Sequence, residues 1–277
     1  MIIETENRWF AIVNPVAGEG KGLTDWPTIS KLLRDHQIAF DFAFSEKKFH
    51  AIELAVEAIN NGYRKIIVIG GDGTIHEVVN GIFIQQQVPS TEILLAVIAV
   101  GTGNDWIRMF GIPRKYTEAI RAIVEGHSFL QDIGIVSYYK SNYPQKRYMA
   151  NVAGIGFDAC VNKRYNRLRD EGKRGKWLYL WSTVKAVLRY KSTHVRVAVD
   201  DRTVADQPVY SATIGIGKFN GGGMLQTPDA VADDGLFDVT ISPAARRWTA
   251  LPRAWPWPSL WRRRSPMCRS PAISPSQ

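Results

Sequence analysis

The stretch Lys65–Gly81, Lys-Ile-Ile-Val-Ile-Gly-Gly-Asp-Gly-Thr-Ile-His-Glu-Val-Val-Asn-Gly, constrains the fold most. Ile66 to Ile69 form a β-branched apolar run, as a strand buried on both faces requires. Gly70, Gly71 and Gly73 permit a tight turn and a close approach of backbone to a ligand. From Thr74 onward, Ile75, Val78, Val79 and Ile82 recur at helical spacing, and Thr74 with Glu77 has the spacing of a capping box. A strand, a glycine turn and a helix N-terminus together favour an anion, because free amides and the helix dipole both attract phosphate. An ordinary strand–helix turn has the same outline, but Asp72 among three glycines favours a phosphate or metal-phosphate site.

The flanking sequence repeats this alternation. Arg8–Val13 reads as a strand that ends in the glycine-rich loop Asn14-Pro15-Val16-Ala17-Gly18-Glu19-Gly20-Lys21-Gly22. The loop lacks the P-loop spacing and has Gly22 where Ser or Thr is required. It either presents amides and Lys21 to phosphate or is a plain surface loop. Periodicity predicts helices over 24–36, 49–60 and 117–125, with strands over 39–44 and 93–99, hence a parallel, doubly wound sheet. Gly101-Thr102-Gly103-Asn104-Asp105 follows the last of these strands, and Met109–Pro113 reads as a helix end. Glycine loops on neighbouring strand ends converge on one crevice, where open α/β sheets place their ligands.

Beyond Gly126 the pattern becomes β-rich, with Phe129–Tyr139, Arg147–Gly154, Thr193–Val199 and Val209–Gly217 predicted as strands of a second, largely antiparallel unit. Asp200-Asp201 reads as a hairpin turn. Lys176–Tyr190 is helical in pattern, with Trp177, Tyr179 and Trp181 following Lys173 and Arg174, so it suits a core helix or a rim meeting lipid. Gly154-Ile155-Gly156-Phe157-Asp158-Ala159 fits a dinucleotide fingerprint but lacks clear βαβ flanks and an acid about 20 residues further on. Gly221-Gly222-Gly223 marks a sharp loop. Asp229, Asp233, Asp234 and Asp238 form either an oxygen-rich cluster for Mg²⁺ or Ca²⁺ or an acidic turn before the strand Leu236–Ile241.

A chain of 277 residues suits two domains. No apolar run approaches the roughly 20 residues of a membrane span, and Met1–Glu6 lacks the basic region of a signal peptide. Cys160 and Cys268 make no disulfide framework, so a reducing, cytoplasmic setting is expected. The formal net charge of +9 is uneven: residues 242–277 hold seven Arg and no acid, leaving 28 basic against 26 acidic residues elsewhere. That segment also holds seven of the 14 Pro and four of the nine Trp. A basic nucleic-acid arm is one reading. The preferred reading is an aberrant tail, as a shifted reading frame near Ser242 would produce, with no nucleic-acid partner.

Taken together, Asn14-Pro15 to Gly18, Gly70-Gly71-Asp72-Gly73-Thr74 with His76 to Gly81, Gly101 to Asp105, Gly221 to Met224 and Asp233-Asp234-Gly235-Leu236-Phe237-Asp238 resemble the bacterial soluble lipid kinases. These belong to the diacylglycerol kinase catalytic-domain superfamily, related to sphingosine and ceramide kinases and more distantly to NAD kinases. The resemblance implies an N-terminal α/β doubly wound nucleotide domain (1–128), and a C-terminal β-sandwich domain (129–241), apparently truncated before the tail at 242–277. It implies ATP and Mg²⁺ as cofactors, and a lipid substrate at the inner membrane face. A homodimer is among the assemblies left open.

By the same resemblance, Asn14, Pro15, Val16, Ala17 and Gly18, with Gly70, Gly71, Asp72, Gly73, Thr74, Ile75 and His76, hold ATP phosphates. Ser45 and Thr102 also contact nucleotide. Asp234, with the carbonyls of Val231 and Leu236, binds a structural Mg²⁺. Asp72 is the candidate for holding the catalytic Mg²⁺ or taking the hydroxyl proton. The family continues past Leu236–Ile241 with more strands and a late Glu that serves as base. No Asp or Glu occurs in 242–277, so the sequence predicts a sandwich short of strands, with exposed edges, weak stability and weak or no activity. Alternatives are a non-catalytic nucleotide- or lipid-binding remnant and an NAD kinase-like enzyme.

Overall fold

The computed structural model describes residues 5, 7–101, 104–171, 190–244, 261–264 and 268–273. The helical pattern at 176–189 and Thr102 lie outside the described residues, as does most of the tail. In chain order the first unit runs β1 (Trp9–Val13), α1 (Lys21–Thr24), α2 (Trp26–Asp35), β2 (Phe40–Phe44), α3 (His50–Asn60), β3 (Lys65–Gly70), α4 (Asp72–Ile84), β4 (Leu94–Ala99), α5 (Asp105–Met109) and α6 (Tyr116–Glu125). Then follow β5 (Ser128–Lys140), β6 (Tyr143–Met149), β7 (Val152–Gly156), α7 (Phe157–Asp170), β8 (Thr193–Val199), β9 (Arg202–Gly215), β10 (Phe219–Asn220), β11 (Met224–Leu225), β12 (Leu236–Pro243), β13 (Trp261–Arg264) and β14 (Cys268–Ile273).

The first sheet has the order β2-β1-β3-β4-β14-β5-β6, and β1 to β4 are parallel. Its central strands are apolar on both sides because helices cover both faces. Ile66, Val68, Leu95 and Val97 pack under Leu54, Ala55 and Ile59 of α3 and Val78, Val79 and Ile82 of α4. Ile67, Ile69, Ala96 and Ile98 pack on the other face against Ile29 and Leu33 of α2 and Ile120 and Ile123 of α6. This doubly wound arrangement matches the expectation and sends the C-terminal ends of β1, β3 and β4 to one side. At β6, buried Asn80 of α4 donates to the Tyr148 carbonyl at 2.9 Å and accepts from its amide at 3.0 Å. That pairing occupies main-chain groups on β6 that would otherwise be open to another strand.

The second unit is antiparallel. Strand β9 lies between β12 and β7, β13 adds outside β12, and β8 pairs with the first half of β9. Asp200 and Asp201 make the predicted β8–β9 turn with φ of 47° and 65°. The segment read as one strand over Arg147–Gly154 is two, because the chain leaves β6 at Met149 and restarts at Val152. β7 ends at Gly156 and α7 begins at Phe157, so the Gly154–Ala159 motif is a strand–helix turn in the antiparallel unit.

The sequence predicts a sandwich short of strands, and two described segments of 242–277 join the sheets, one in each. β13 pairs with β12, and β14 lies between β4 and β5. Backbone pairing explains this: an edge strand offers its amides and carbonyls to any extended chain, whatever its composition.

One tight packing point follows from these contacts. A Cβ on Gly81 would lie 2.7 Å from both the Ala55 Cβ and the Ile52 carbonyl oxygen. Gly81→Ala is expected to cost about 1–3 kcal/mol by forcing α3 and α4 apart. Urea denaturation reads it, and a loss under about 0.5 kcal/mol contradicts the packing account.

Candidate active site

Three loops meet at the C-terminal ends of β1, β3 and β4. Gly18 (φ 59°) and Gly101 (φ 97°) touch backbone to backbone, and a Cβ on either would fall within 2.9 Å of the other residue. Only glycine permits both this contact and the left-handed conformation. The Asn14 side chain ties the first loop to the second, donating to Thr74 Oγ1 at 2.9 Å while accepting from the Val16 amide at 3.1 Å. Ala17 donates its amide to the Asn14 carbonyl, and Ser45 sits at the end of β2 with its amide on the Val13 carbonyl.

The capping box expected at Thr74 and Glu77 does not form. Helix α4 starts two residues earlier, at Asp72 with Gly71 as its N-cap, and no side chain caps it. Thr74 is held by Asn14, and Glu77 Oε2 accepts from the Ala51 amide at 3.3 Å. The Thr74 amide turns back to the Gly71 carbonyl, which leaves the amides of Gly71, Asp72 and Gly73 without intrahelical partners, at the positive end of the dipole. No atom lies within 4 Å of a Cβ built on Gly73, so the space above this turn is open. Ile75 is buried in the core under α3, with its amide on the Gly71 carbonyl.

Asp72 links the second loop to the third. Its Oδ2 accepts from the Asp105 amide at 2.9 Å and its Oδ1 from the Trp106 amide at 3.0 Å. Burial pushes its carboxyl above the ordinary Asp range, and the two amides partly oppose that shift. Asp105 is itself buried and reaches the antiparallel unit, where its Oδ2 accepts from the Gly222 amide at 2.7 Å. Arg108 lies beside it, with Nε 3.8 Å from Asp105 Oδ1 and the guanidinium 5.6 Å from the Phe219 ring centre. A Cβ on Gly223 would meet that guanidinium at 2.9 Å. All three glycines of this loop have positive φ (66°, 91° and 103°), a left-handed path that favours glycine.

The predicted carboxylate cluster at 229–238 does not assemble. Among the described residues no three His, Cys, Asp or Glu side chains are grouped for a metal ion. Asp229 and Asp233 face solvent while Asp238 is buried on β12, so they occupy different environments. Val231, Asp234 and Leu236 do share one turn around Gly235 (φ 75°). Asp234 Oδ1 accepts from the Leu236 amide at 3.0 Å, and buried Asp132 accepts from the Gly235 amide at 2.6 Å. One carboxylate beside main-chain carbonyls is an oxygen donor set that fits a hard divalent cation.

Sequence reasoning missed Asp105, Arg108 and Asp132 as parts of this region. Asp105 had a signal, since it closes a glycine loop. Asp132 had none, because an acid inside a strand reads as a solvent-facing residue.

His76 generates a pH expectation. Burial, with Arg147 adding to it, holds its imidazole below the usual His value. A depressed folded pKa gives stability that is complete above the unfolded value of about 6.5 and lost as pH falls through the folded value. The stability advantage of the parent chain over His76→Gln should be constant above about pH 6.5 and shrink below it. Denaturation across pH 5–8 reads this, and a pH-independent difference contradicts it.

Comparison with known proteins completes the description. The family model for the diacylglycerol kinase catalytic domain matches residues 8–136. That for the YegS C-terminal NAD kinase beta sandwich-like domain matches residues 151–255. YtlR of Bacillus subtilis, a candidate lipid kinase by name, is 31% identical over 250 residues, covering 85% of this chain and 77% of the relative. A diacylglycerol kinase of Mycobacterium tuberculosis is 29% identical over 249 residues, covering 89% of this chain and 76% of the relative. A crystal structure of a diacylglycerol kinase from Bacillus anthracis superposes with a TM-score of 0.62 at 23% identity, over 86% of this chain and 74% of that one, and so supports the fold. With its parallel nucleotide-domain sheet and antiparallel second unit, the chain belongs to the diacylglycerol kinase catalytic-domain family of lipid kinases.

Proposed function

We propose that the chain transfers the γ-phosphoryl group of ATP to the hydroxyl of a diacylglycerol-like lipid at a membrane surface. The carrying observation is the uncapped N-terminus of α4, open above Gly73 and flanked by the Gly18 and Gly101 loops beside half-buried Asp72. In this reading residues 14–18 and 70–76 hold the phosphates, with the amides of Gly71, Asp72 and Gly73 open to receive them. Ser45 and Thr102 also contact the nucleotide.

Phosphoryl transfer needs positioning and charge neutralisation more than covalent chemistry. Mg²⁺, when bound, supplies part of that neutralisation, and Arg108 at the junction of the two units supplies more. Asp234 with the Val231 and Leu236 carbonyls is the proposed structural Mg²⁺ site. Asp72 keeps a second lone pair on each oxygen. Its raised proton affinity suits a group that takes a hydroxyl proton near neutral pH.

The lipid side of the reading rests on exposure. Met224 (52%) and Leu225 (49%) are apolar side chains left open just after the triglycine loop, and Ile155 (43%) is open on β7. The β5–β6 hairpin exposes Tyr138, Tyr139 and Tyr143 near Lys140 and Lys146, and no Asp or Glu occurs between Ile133 and Phe157. Amphipathic aromatics with lysines suit an anionic bilayer surface. Among the described residues no helix is long and apolar enough to cross a membrane. A second reading, nucleotide binding without transfer, is favoured only by the lack of any Asp or Glu in 242–277.

Labelled ATP with Mg²⁺ and diacylglycerol in mixed micelles tests the proposal. Labelled phosphatidic acid is expected, and retained ATP binding without transfer favours the second reading. Asp72→Asn should lower kcat by about 100-fold or more, the scale of a lost acid–base group. A fall under about threefold removes Asp72 from the chemistry. Tyr139→Ser with Tyr143→Ser should weaken co-sedimentation with phosphatidylglycerol vesicles and spare turnover of a short-chain soluble diacylglycerol. Unchanged sedimentation excludes the hairpin as the membrane contact.

A further inference from the structure

The Gly154–Ala159 motif has no task in the account above. Its glycines serve a carboxylate. A Cβ on Gly154 would sit 3.1 Å from the Asp158 Cβ, and Gly156 (φ 85°) has the Tyr210 carbonyl oxygen 2.6 Å from where a Cβ would be. This close approach lays the start of α7 on β9. Asp158 Oδ2 accepts from Ser211 Oγ at 2.6 Å and from Thr213 Oγ1 at 3.4 Å.

Its other oxygen faces the triglycine loop. Asp158 Oδ1 accepts from Gln226 Nε2 at 3.3 Å, and Gln226 Oε1 accepts from Asn220 Nδ2 at 2.9 Å. Asn220 Oδ1 in turn accepts from the Gly221 amide at 2.9 Å. The next amide, Gly222, donates to Asp105 Oδ2, and the Asp105 amide donates to Asp72. The polarity of this chain is fixed: an ionised Asp158 accepts only, so Gln226 must present its amide nitrogen there and its oxygen to Asn220. The links through Asn220, Gly221 and Gly222 are 2.7–2.9 Å long, and the Gln226–Asp158 link is 3.3 Å. Losing one removes a side-chain tie from the turn between β10 and β11, whose three glycines have little stiffness of their own.

We infer that Gln226, anchored by Asp158 and acting through Asn220, is a positioning residue that fixes the triglycine loop on Asp105, and so sets the cleft geometry that phosphoryl transfer requires. The inference rests on the lipid-kinase reading for its catalytic consequence and on geometry alone for the loop. Misplacement of about 1 Å at a reacting centre costs up to about 100-fold in rate, so a side chain that touches neither nucleotide nor lipid can control kcat.

Two variants test it in the full-length chain. Gln226→Leu keeps the volume and removes both hydrogen bonds. It should speed hydrogen–deuterium exchange of the 221–224 amides and lower kcat about tenfold, with KM for ATP within about twofold. Gln226→Glu supplies a donor only when protonated, and the Asp158 charge raises the introduced carboxyl's pKa. Tyr210 lies within electrostatic reach of Asp158, with Tyr190 and Cys160 beside it. The ratio of variant to parent kcat should therefore rise as pH falls from about 8 to 5, with melting temperatures checked at each pH. A bland packing role predicts no such rise. Unchanged exchange at 221–224 overturns the inference, as does faster exchange with kcat within twofold of the parent. If the parent chain phosphorylates no lipid, the functional reading fails by itself, and exchange still decides whether Gln226 holds the loop.

Discussion

The structure turns on a half-buried carboxylate, Asp72, shared between two loops. Burying a charge costs several kcal/mol unless hydrogen bonds replace the lost water. Here the replacement is two main-chain amides, those of Asp105 and Trp106. Charge-assisted bonds of this kind contribute about 1.5–3 kcal/mol each, enough to hold the loop after β4 against the glycine turn after β3. The arrangement also caps α5, a five-residue helix with little stability of its own. One interaction thus fixes two loops and a helix end.

From that point the order spreads in two directions. Asn14 joins the first glycine loop to Thr74, and the Gly18–Gly101 contact closes the rim on the parallel sheet. Asp105 carries the connection into the antiparallel unit through Gly222. A site built between two such units can bring a polar nucleotide from one side and an apolar substrate from the other. The exposed apolar residues lie beside the triglycine loop, whereas the open amides lie on α4. This division fits the chemistry of the family, in which a charged donor meets a hydroxyl on a lipid.

The parallel sheet was legible because its determinants are local. The runs Ile66–Ile69 and Leu94–Ala99 are apolar on both faces, and helical spacing marks α3 before the first and α4 between the two. The crevice was legible for the same reason, since glycines follow successive strands. The capping box was misread because Thr74 has a partner 60 residues away, Asn14, that no local pattern reveals. The acidic segment stayed open between a cation cluster and an acidic turn, because spacing cannot tell Asp238, buried on a strand, from Asp233 on a turn. Asp158 and Gln226 were invisible as a pair, because their 68-residue separation is closed only by β7, α7 and β9 coming together. The tail's composition is unlike the rest of the chain, yet main-chain pairing sets β13 and β14 into the two sheets.

The central claim is that one nucleotide site is bounded by loops of both units. Manganese–ATP, a paramagnetic stand-in for the magnesium complex, tests it through amide signal broadening in the intact chain. The account predicts strong broadening at Gly18, at Gly71 to Gly73 and, across the cleft, at Gly221 to Gly223. Broadening confined to the parallel-sheet loops, with the triglycine amides unaffected, would contradict it.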